Sequence, residues 1–511
     1  MGIAGAETDG TSANPSITPD GRFVAFGSDA SNLVAGDTNG VQDIFVLTLA
    51  TGALERVSMS YTGGEPDDSC AVPKISANGR FVCFQSNATN LVPGDTNAVM
   101  DIFVHDRMTA LTVRVNLDSS GGQSGLYSSG PVISSDGRFV AFSSFADDLV
   151  PGDTNQNSDV FLRDLQAGTT ERISVDGLGM ELDGNSSGPS LSSDARFVAF
   201  YSESANLVPG DTNGYGDVFV RDRLSGTNER ISVTASGVEG NHHSRSAQIS
   251  ADGQMVVFIT LADNFWWSDS NFNQDVFVVD RLTRTMDLVS VNPDGDISSG
   301  TSYECIISAD GRYVVFRSDG DNLVPGDSND ASDVFVRNLR TMMMERVSVD
   351  SNGVESNSGG SQVTTSGDGG IVVFSSRADN LVPFDTNNRG DIFLHDRWDG
   401  EGANAVFLTG PSTVQVGTPF YFSWQATRPF ADTWFFASLS RGGSSIGGHR
   451  MDIGSHAKIL ASGLTNIEGM GFYSAPPVPA AASGSLMFFE VLLVDGQGLF
   501  LDSNVVDVLF Q

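Results

Sequence analysis

Short alternating runs of apolar residues, four at a time, recur along the first four-fifths of the chain. In one copy they are Pro189–Leu191, Arg196–Phe200, Asp217–Val220 and Glu229–Val233. β-Branched and aromatic residues dominate them, and clusters of Gly, Asp, Asn and Ser separate them, which is the punctuation of strands and turns. No window carries apolar positions spaced by three and four, so helix is not expected.

The turn after the first run falls at Asp20, Asn78, Asp136, Asp194, Asp252, Asp310 and Asp368, each step being 58 residues. Seven equal units of four strands predict an all-β fold, a seven-bladed β-propeller over residues 1–402. The unit exceeds the roughly 40–45 residues of an ordinary four-stranded blade, so the surplus lies in loops. Tight turns such as Asp136-Gly137 and Ser225-Gly226 open on one face. The long second-to-third loop (Ser202–Tyr215) and the blade-to-blade loop (Thr234–Ser246) share the other, where a site is expected.

The run S-x-D-G-R-[FY]-V-x-F stands at Ser134–Phe142 and Ser308–Phe316, with Thr18 replacing the Ser in the first copy. With the D-[IV]-F-[VL] and E-R-[VI]-S-V strands, it resembles the TolB-type, WD40-like propeller repeat over about residues 10–400. The resemblance implies the fold. It implies no single activity, because such propellers serve as binding scaffolds, protease accessory domains and lyases.

Residues 403–511 form a second expected domain. Their runs Ala405–Leu408, Thr413–Val416, Phe420–Trp424, Trp434–Leu439, Lys458–Leu460, Leu486–Val494 and Asn504–Leu509 resemble an immunoglobulin- or fibronectin-like β-sandwich without a disulfide. Met1 aligns with Val175, just after a fourth strand, so Ala405–Leu408 is expected either to complete blade seven or to join the sandwich.

Charge narrows the partners. The chain carries 63 Asp+Glu against 28 Lys+Arg, a net −35, which argues against nucleic acid or an anionic membrane. No apolar stretch is long enough for a transmembrane helix, so no membrane insertion is expected. Cys70, Cys83 and Cys305 make no disulfide framework, and Cys83 takes a small buried position. No signal-peptide pattern precedes the repeats; an extracellular or cell-surface, bacterial protein whose leader has been removed is expected.

The strongest chemical pattern is D-[TS]-N-x-x-x-D in the second-to-third loop. It recurs as Asp37/Asn39/Asp43, Asp95/Asn97/Asp101, Asp153/Asn155/Asp159, Asp211/Asn213/Asp217, Asp269/Asn271/Asp275, Asp327/Asn329/Asp333 and Asp385/Asn387/Asp391. Two carboxylates and an amide supply half a shell for Ca²⁺, which takes six to eight oxygens. The pattern resembles the calcium loops of integrin-type propellers, though two residues shorter and without the middle Asp. Asx-turns explain the same residues without metal. The position four after the last Asp is Leu47, His105, Arg163, Arg221, Val279, Arg337 and His395, so that column offers no constant cation. The arginines Arg56, Arg114, Arg172, Arg230 and Arg346 repeat with the fourth strand and are read as structural.

Blade five breaks the repeat. Phe265-Trp266-Trp267-Ser268 replaces Leu-Val-Pro-Gly, and the preceding loop brings His242, His243 and Arg245 to the same face. These six residues suit a sugar or peptide ligand. Alternatively Phe265 and Trp266 fill core slots and Trp267 caps a blade junction. Catalytic signatures are weak: Gly443–Gly447 matches G-x-S-x-G but lies in a Gly/Ser-rich hairpin rather than a strand–turn–helix. The expected function is non-catalytic recognition of a glycan or protein through the long-loop face, with loops ordered by Ca²⁺. A polysaccharide lyase or hydrolase using non-repeated channel carboxylates is the alternative, and a structural envelope or matrix protein the third. The sequence leaves the oligomeric state open.

Overall fold

The computed structural model describes residues 7–397, Ser268 apart, together with the backbone of strands between 406 and 510. The chain splits into two compact units, 1–396 and 397–511. The first is a seven-bladed β-propeller. Blade four is typical, with strands Ser186–Leu191, Phe197–Ser202, Asp217–Asp222 and Thr227–Arg230 in one antiparallel up-and-down sheet. Six blades have four strands. Blade seven shows three among the described residues, Gly360–Thr365, Ile371–Ser376 and Asp391–Asp396.

Alternation explains how the blades stack. On the second and third strands consecutive side chains are buried, as Val140, Ala141 and Phe142 are, because each blade is covered on both faces by its neighbours, and a pair such as Phe142 and Phe161 stacks with ring centres 5.9 Å apart. The same pair recurs in every blade, from Phe26/Phe45 to Phe374/Phe393. The turn ahead of the second strand carries a left-handed glycine in six blades, and Ala195 takes that place at φ +55° in blade four. A Cβ on Gly137, whose φ is +79°, would lie 2.1 Å from the Phe81 ring of the preceding blade. Cys83 is fully buried in this packing, and burial pushes its thiol up to about 12.

Two devices tie the ring together. Around the tight-turn face, backbone bonds pass from blade to blade: Ala77 N to Ser135 O, Ser135 N to Ser193 O, Ser193 N to Ala251 O, and Ala251 N to Ala309 O. Gly367 N then reaches Pro19 O at 2.8 Å, which joins blade seven to blade one. Pro19 has no N–H to pass on to blade two. On the opposite face Glu7 holds the loop of blade seven: Thr386 donates to it from N and Oγ1 at 2.6 and 2.9 Å, and Asn387 Nδ2 donates to Thr8 O. The closing segment therefore lies at residues 7–8 and reaches the loop of blade seven and, through the Thr8 hydroxyl, Asp391 at the start of its third strand; residues 1–6 lie outside the described residues.

In the second unit Val406–Thr409 pairs with Phe420–Ala426, which also pairs with Met470–Ala475. Of the run Ala405–Leu408, the described residues from Val406 on pair within the C-terminal unit. Arg441–Ile446 pairs antiparallel with His449–Ile453, so the sequence around Ser445 is strand followed by strand. No described helix is long and apolar enough to cross a membrane.

Candidate functional site

The repeated acidic loops resolve into a latch. In blade one Asp43 opens the third strand, fully buried, and accepts from Ser58 Oγ at 2.5 Å and Asn39 Nδ2 at 3.3 Å. Thr38 donates to Glu65 of the blade-to-blade loop from both N and Oγ1 at 2.7 Å, and Asn39 Nδ2 donates to Pro66 O. Both long loops thus lie on one face, held to each other. Asn90 of blade two then donates to Glu65 O, carrying the latch across the junction.

A guanidinium stands where a metal was considered. Arg56 Nη1 lies 3.5 Å from Asp37, 3.3 Å from Asp43 and 2.9 Å from Glu65. These three acids present oxygens within 4.8 Å of one another, a spacing that would also suit an ion. The arrangement repeats with Arg114 between Asp95 and Asp101, Arg172 between Asp153 and Asp159, Arg230 between Asp211 and Asp217, and Arg346 between Asp327 and Asp333. Each arginine is 3.1–3.5 Å from both aspartates of its blade. The cation partner thus comes from the fourth strand, 13 residues after the last Asp, outside the column inspected in the sequence. Asp37, Asp153, Asp211 and Asp327 are pushed up to about 6, mainly by burial, with the neighbouring aspartate adding to it and the arginine opposing it.

The asparagines of the motif take part in the latch as well. Asn97, Asn155, Asn213 and Asn329 were expected, like Asn39, to offer an amide oxygen to a metal; each turns its NH₂ to the acid instead. Asn97 Nδ2 donates to Asp101 at 3.1 Å and to Ser124 O at 2.9 Å. Asn155 donates to Asp159 at 3.3 Å and Leu182 O at 3.1 Å, and Asn213 to Asp217 at 3.1 Å and Gly240 O at 3.0 Å. Asn329 donates to Asp333 at 3.0 Å and Ser356 O at 2.8 Å. An amide with its positive end toward the carboxylate opposes a cation there. The oxygens of Asn39, Asn155, Asn213 and Asn329 accept from the backbone N–H of Val41, Asn157, Tyr215 and Ala331, two residues on. That is an Asx-turn, so in these four blades the asparagine orders the loop and ties it to the next one.

Blades five and seven lack the arginine. In blade five Leu288 stands in its place and Ile297 in the place of Glu65, while Asp269, Asn271 and Asp275 stay. Asp275 still accepts from Ser290 Oγ at 2.6 Å and Asn271 Nδ2 at 3.1 Å. Burial pushes it up to about 7, with a smaller contribution from Asp269. In blade seven Asn387 Nδ2 donates to Asp391 at 3.2 Å, and Asp385 is raised by burial and then by Asp391 and Glu7.

The six blade-five residues separate into three groups. Phe265 and Trp266 pack into the core, Phe265 edge-on to Phe277 at 5.8 Å and to Phe258 at 6.4 Å. They fill the Leu/Val slots. Trp267 is 92% exposed, as is most of Phe272 in the same loop. His242, His243 and Arg245 gather beside blade four. Tyr215 stacks on His242 at 5.0 Å and meets His243 edge-on at 5.1 Å, while Gly216 N donates to His243 Nδ1. That acceptor role fixes the tautomer, with the proton on Nε2. Next to this stack is a cavity of about 220 Å³ lined by Tyr201, Glu203, His243, Arg245, Thr260, Leu261 and Gln274. Arg245 Nη2 donates to Gln274 Oε1 at 3.0 Å. Phe265, Trp266 and Trp267 do not line it.

Sequence reading missed Tyr201, Tyr215 and Gln274. The signal was available by reading down columns rather than along the chain. Equivalents of Tyr215 are Val41, Val99, Asn157, Asn273, Ala331 and Arg389, and those of Tyr201 are Gly27, Gln85, Ser143, Ile259, Arg317 and Ser375. Both columns vary where the framework columns do not.

Fold and latch together define a seven-bladed β-propeller repeat protein whose elaborated face is broken at the junction of blades four and five. No family model and no curated protein matches the chain. Among solved structures it is similar to a candidate TolB from Agrobacterium tumefaciens, at 16% identity and a TM-score of 0.35 over 55% of this chain and 80% of that one. A family 117 glycoside hydrolase, Zg3597, from the marine bacterium Zobellia galactanivorans gives 10% identity and a TM-score of 0.24 over 53% and 83%. The alpha-2-macroglobulin of E. coli gives 10% identity and a TM-score of 0.19, with 99% of this chain spanning 38% of that one.

Proposed function

We propose that this is a non-catalytic recognition protein, exported to the cell surface or beyond, that binds a glycan on its long-loop face where blades four and five meet. The observation that carries the reading is the Tyr215–His242 ring stack beside the cavity of Tyr201, His243, Arg245 and Gln274; apart from Gln274, which blade one repeats as Gln42, no other blade carries these residues at the equivalent positions. Flat rings take the apolar face of a sugar, and the guanidinium, amide and imidazole fix its hydroxyls. Trp267 and Phe272 add exposed aromatic surface on the same loop face. The C-terminal unit, an immunoglobulin-like sandwich in this reading, serves as a spacer. A glycan array, with a panel of extended peptides beside it, tests the ligand class. Selective glycan retention supports the reading, and retention of peptides alone replaces it with a protein ligand.

Calcium enters this proposal at blades five and seven. In the five blades with an arginine, the guanidinium fills the seat between the carboxylates and the residues do not fit an ion. Asp269 with Asp275, and Asp385 with Asp391, keep their carboxylates without that arginine. An ion there takes those oxygens, and the Asn271 and Asn387 amides turn over to present theirs. Two carboxylates and mostly neutral oxygens place affinity in the weak extracellular range of roughly 10⁻⁴–10⁻³ M.

An enzyme is the second reading, favoured by one observation: Lys74 and Glu304 are non-repeated charged residues on the channel. Glycoside hydrolysis generally uses two carboxyl groups flanking the bond. The seven channel-lining strands carry one carboxylate among the residues that face these cavities, Glu304.

A further inference from the structure

The first strands of all seven blades line the central channel, and each contains a bulge at which one residue is left-handed: Asn14, Val72, Gly130, Gly188, Ser246, Glu304 and Gln362. For β-branched Val72, at φ +53°, this conformation is a genuine outlier. Two residues later comes Lys74, the one lysine of the propeller in a chain with 26 arginines. Its equivalents are Ser16, Val132, Ser190, Gln248, Ile306 and Thr364, so the charge is peculiar to blade two.

Lys74 lies at the waist of the channel, lining both a cavity of about 220 Å³ toward the tight-turn face and one of about 380 Å³ beyond it. Among the described residues its ammonium has no carboxylate partner. Burial lowers its pKa, opposed by the Cys83 thiol.

The neighbouring amides also turn donors to the channel. Ser190 Oγ accepts the Ile249 N–H at 3.2 Å, so its own hydrogen goes to Gln248 Oε1, 3.3 Å away. That leaves the Gln248 NH₂ for the channel. Gln362 Oε1 accepts from Asn14 N at 2.8 Å and from Ser375 Oγ at 3.0 Å, which likewise frees its NH₂. The single carboxylate, Glu304, is engaged: one oxygen accepts from Gln362 N at 2.5 Å, and the other faces Arg317 at 4.0 Å.

We propose that the central channel is a binding site for a small organic acid, whose oxyanion sits on Lys74 and whose further oxygens accept from Gln248 and Gln362. An ammonium and two amide NH₂ groups make a donor-rich lining in a protein of net charge −35. The two cavities together suit a ligand of monosaccharide size or somewhat larger. This site is distinct from the long-loop patch and stands without it.

The chain has two lysines, Lys74 and Lys458, which makes a direct test practical. Reductive methylation with ¹³C-formaldehyde gives one NMR signal for each lysine, assigned with Lys74→Met. Sodium glucuronate, sodium gluconate and inorganic phosphate are then titrated in turn. The expected result is a Lys74 signal that titrates at lower pH than that of Lys458, moves on adding glucuronate or gluconate at lower concentration than phosphate, and then titrates higher. Phosphate alone moving it overturns the organic-acid assignment and leaves a simple oxyanion site. Calorimetry on unmodified protein is expected to show at least a tenfold loss of affinity in Lys74→Met, with melting unchanged, and a partial loss in Gln248→Ala. A Lys74 signal indifferent to all three anions, or equal affinity in Lys74→Met, overturns the proposal.

Discussion

Blades four and five share one backbone register and the same Asp/Asn loop, yet only blade four holds a cation in it. There Arg230 lies 3.2 Å from Asp211 and 3.5 Å from Asp217, and Glu239 completes the seat from the next loop. Blade five has lost the arginine and the glutamate together, to Leu288 and Ile297. The two are not always lost together: blade seven keeps the glutamate, as Glu7, without the arginine, and blade two keeps Arg114 with Gln123 in the glutamate's place. In blade five Ile297 packs against the apolar cluster that contains Leu288. The missing pair lies toward blade six, whereas the junction of blades four and five, where Tyr215 and the two histidines sit, keeps blade four's latch through Glu239.

Making blade four resemble blade five has the largest expected effect. Arg230→Leu leaves Asp211 and Asp217 buried without a cation and should cost about 3–5 kcal/mol in urea unfolding at neutral pH, the usual result of removing one partner from a buried ion pair. Leu288→Arg with Ile297→Glu is the reverse exchange. It should stabilise the fold by about 1.5–3 kcal/mol, read as a higher melting temperature, if the new charged hydrogen bonds form as in blade four.

The pH dependence separates the two blades next. Asp275 is raised from the ordinary carboxylate value to about 7, so between those values the folded state binds a proton that the unfolded chain has lost. Its contribution is therefore fully present in acid and is lost as pH rises through about 7. Asp275→Asn should remove that decline and leave the rest of the stability–pH curve in place. Glu239 of blade four's latch acts in the opposite sense. Against the burial that raises it, the Thr212 hydroxyl and backbone N–H and Arg230 lower its pKa, so its contribution is present above the ordinary value and lost as pH falls.

Calcium gives the smallest shift. Ten times Kd stabilises by about 1.4 kcal/mol for each site. Two sites, in blades five and seven, should contribute; Asp275→Asn should halve the chelator-reversible shift, and Asp211→Asn should leave it unchanged. An effect of seven equal sites would contradict the role given to the arginines.

The 58-residue period made the propeller legible, because strand alternation and turn residues act locally and repeat without insertion. The acidic loops were legible as a pattern but not as a latch. Arg56 stands 13 residues from Asp43 and Glu65 lies in the next loop, and only the fold brings them to one point. Which end of the Asn155 or Asn213 amide faces the acid is set by the carbonyl of that next loop, so it was hidden for the same reason. The roles of Phe265 and Trp266 followed from the slots they occupy, since a core position accepts any apolar side chain that fits. Tyr215 and Lys74 went unread for another reason. A single residue in a turn or strand carries no periodic signal, and its meaning appears when the seven copies are placed around one axis.

The claim that recognition occurs at the junction of blades four and five is tested most directly by one binding measurement. Affinity for the glycan selected on the array is compared among the wild type, Tyr215→Ala, Arg245→Ala and Phe384→Ala, the last removing a 90% exposed ring from blade seven. The account predicts that Tyr215→Ala and Arg245→Ala each weaken binding at least tenfold with unchanged melting, and that Phe384→Ala binds as the wild type does. Equal affinity in all four proteins would contradict it.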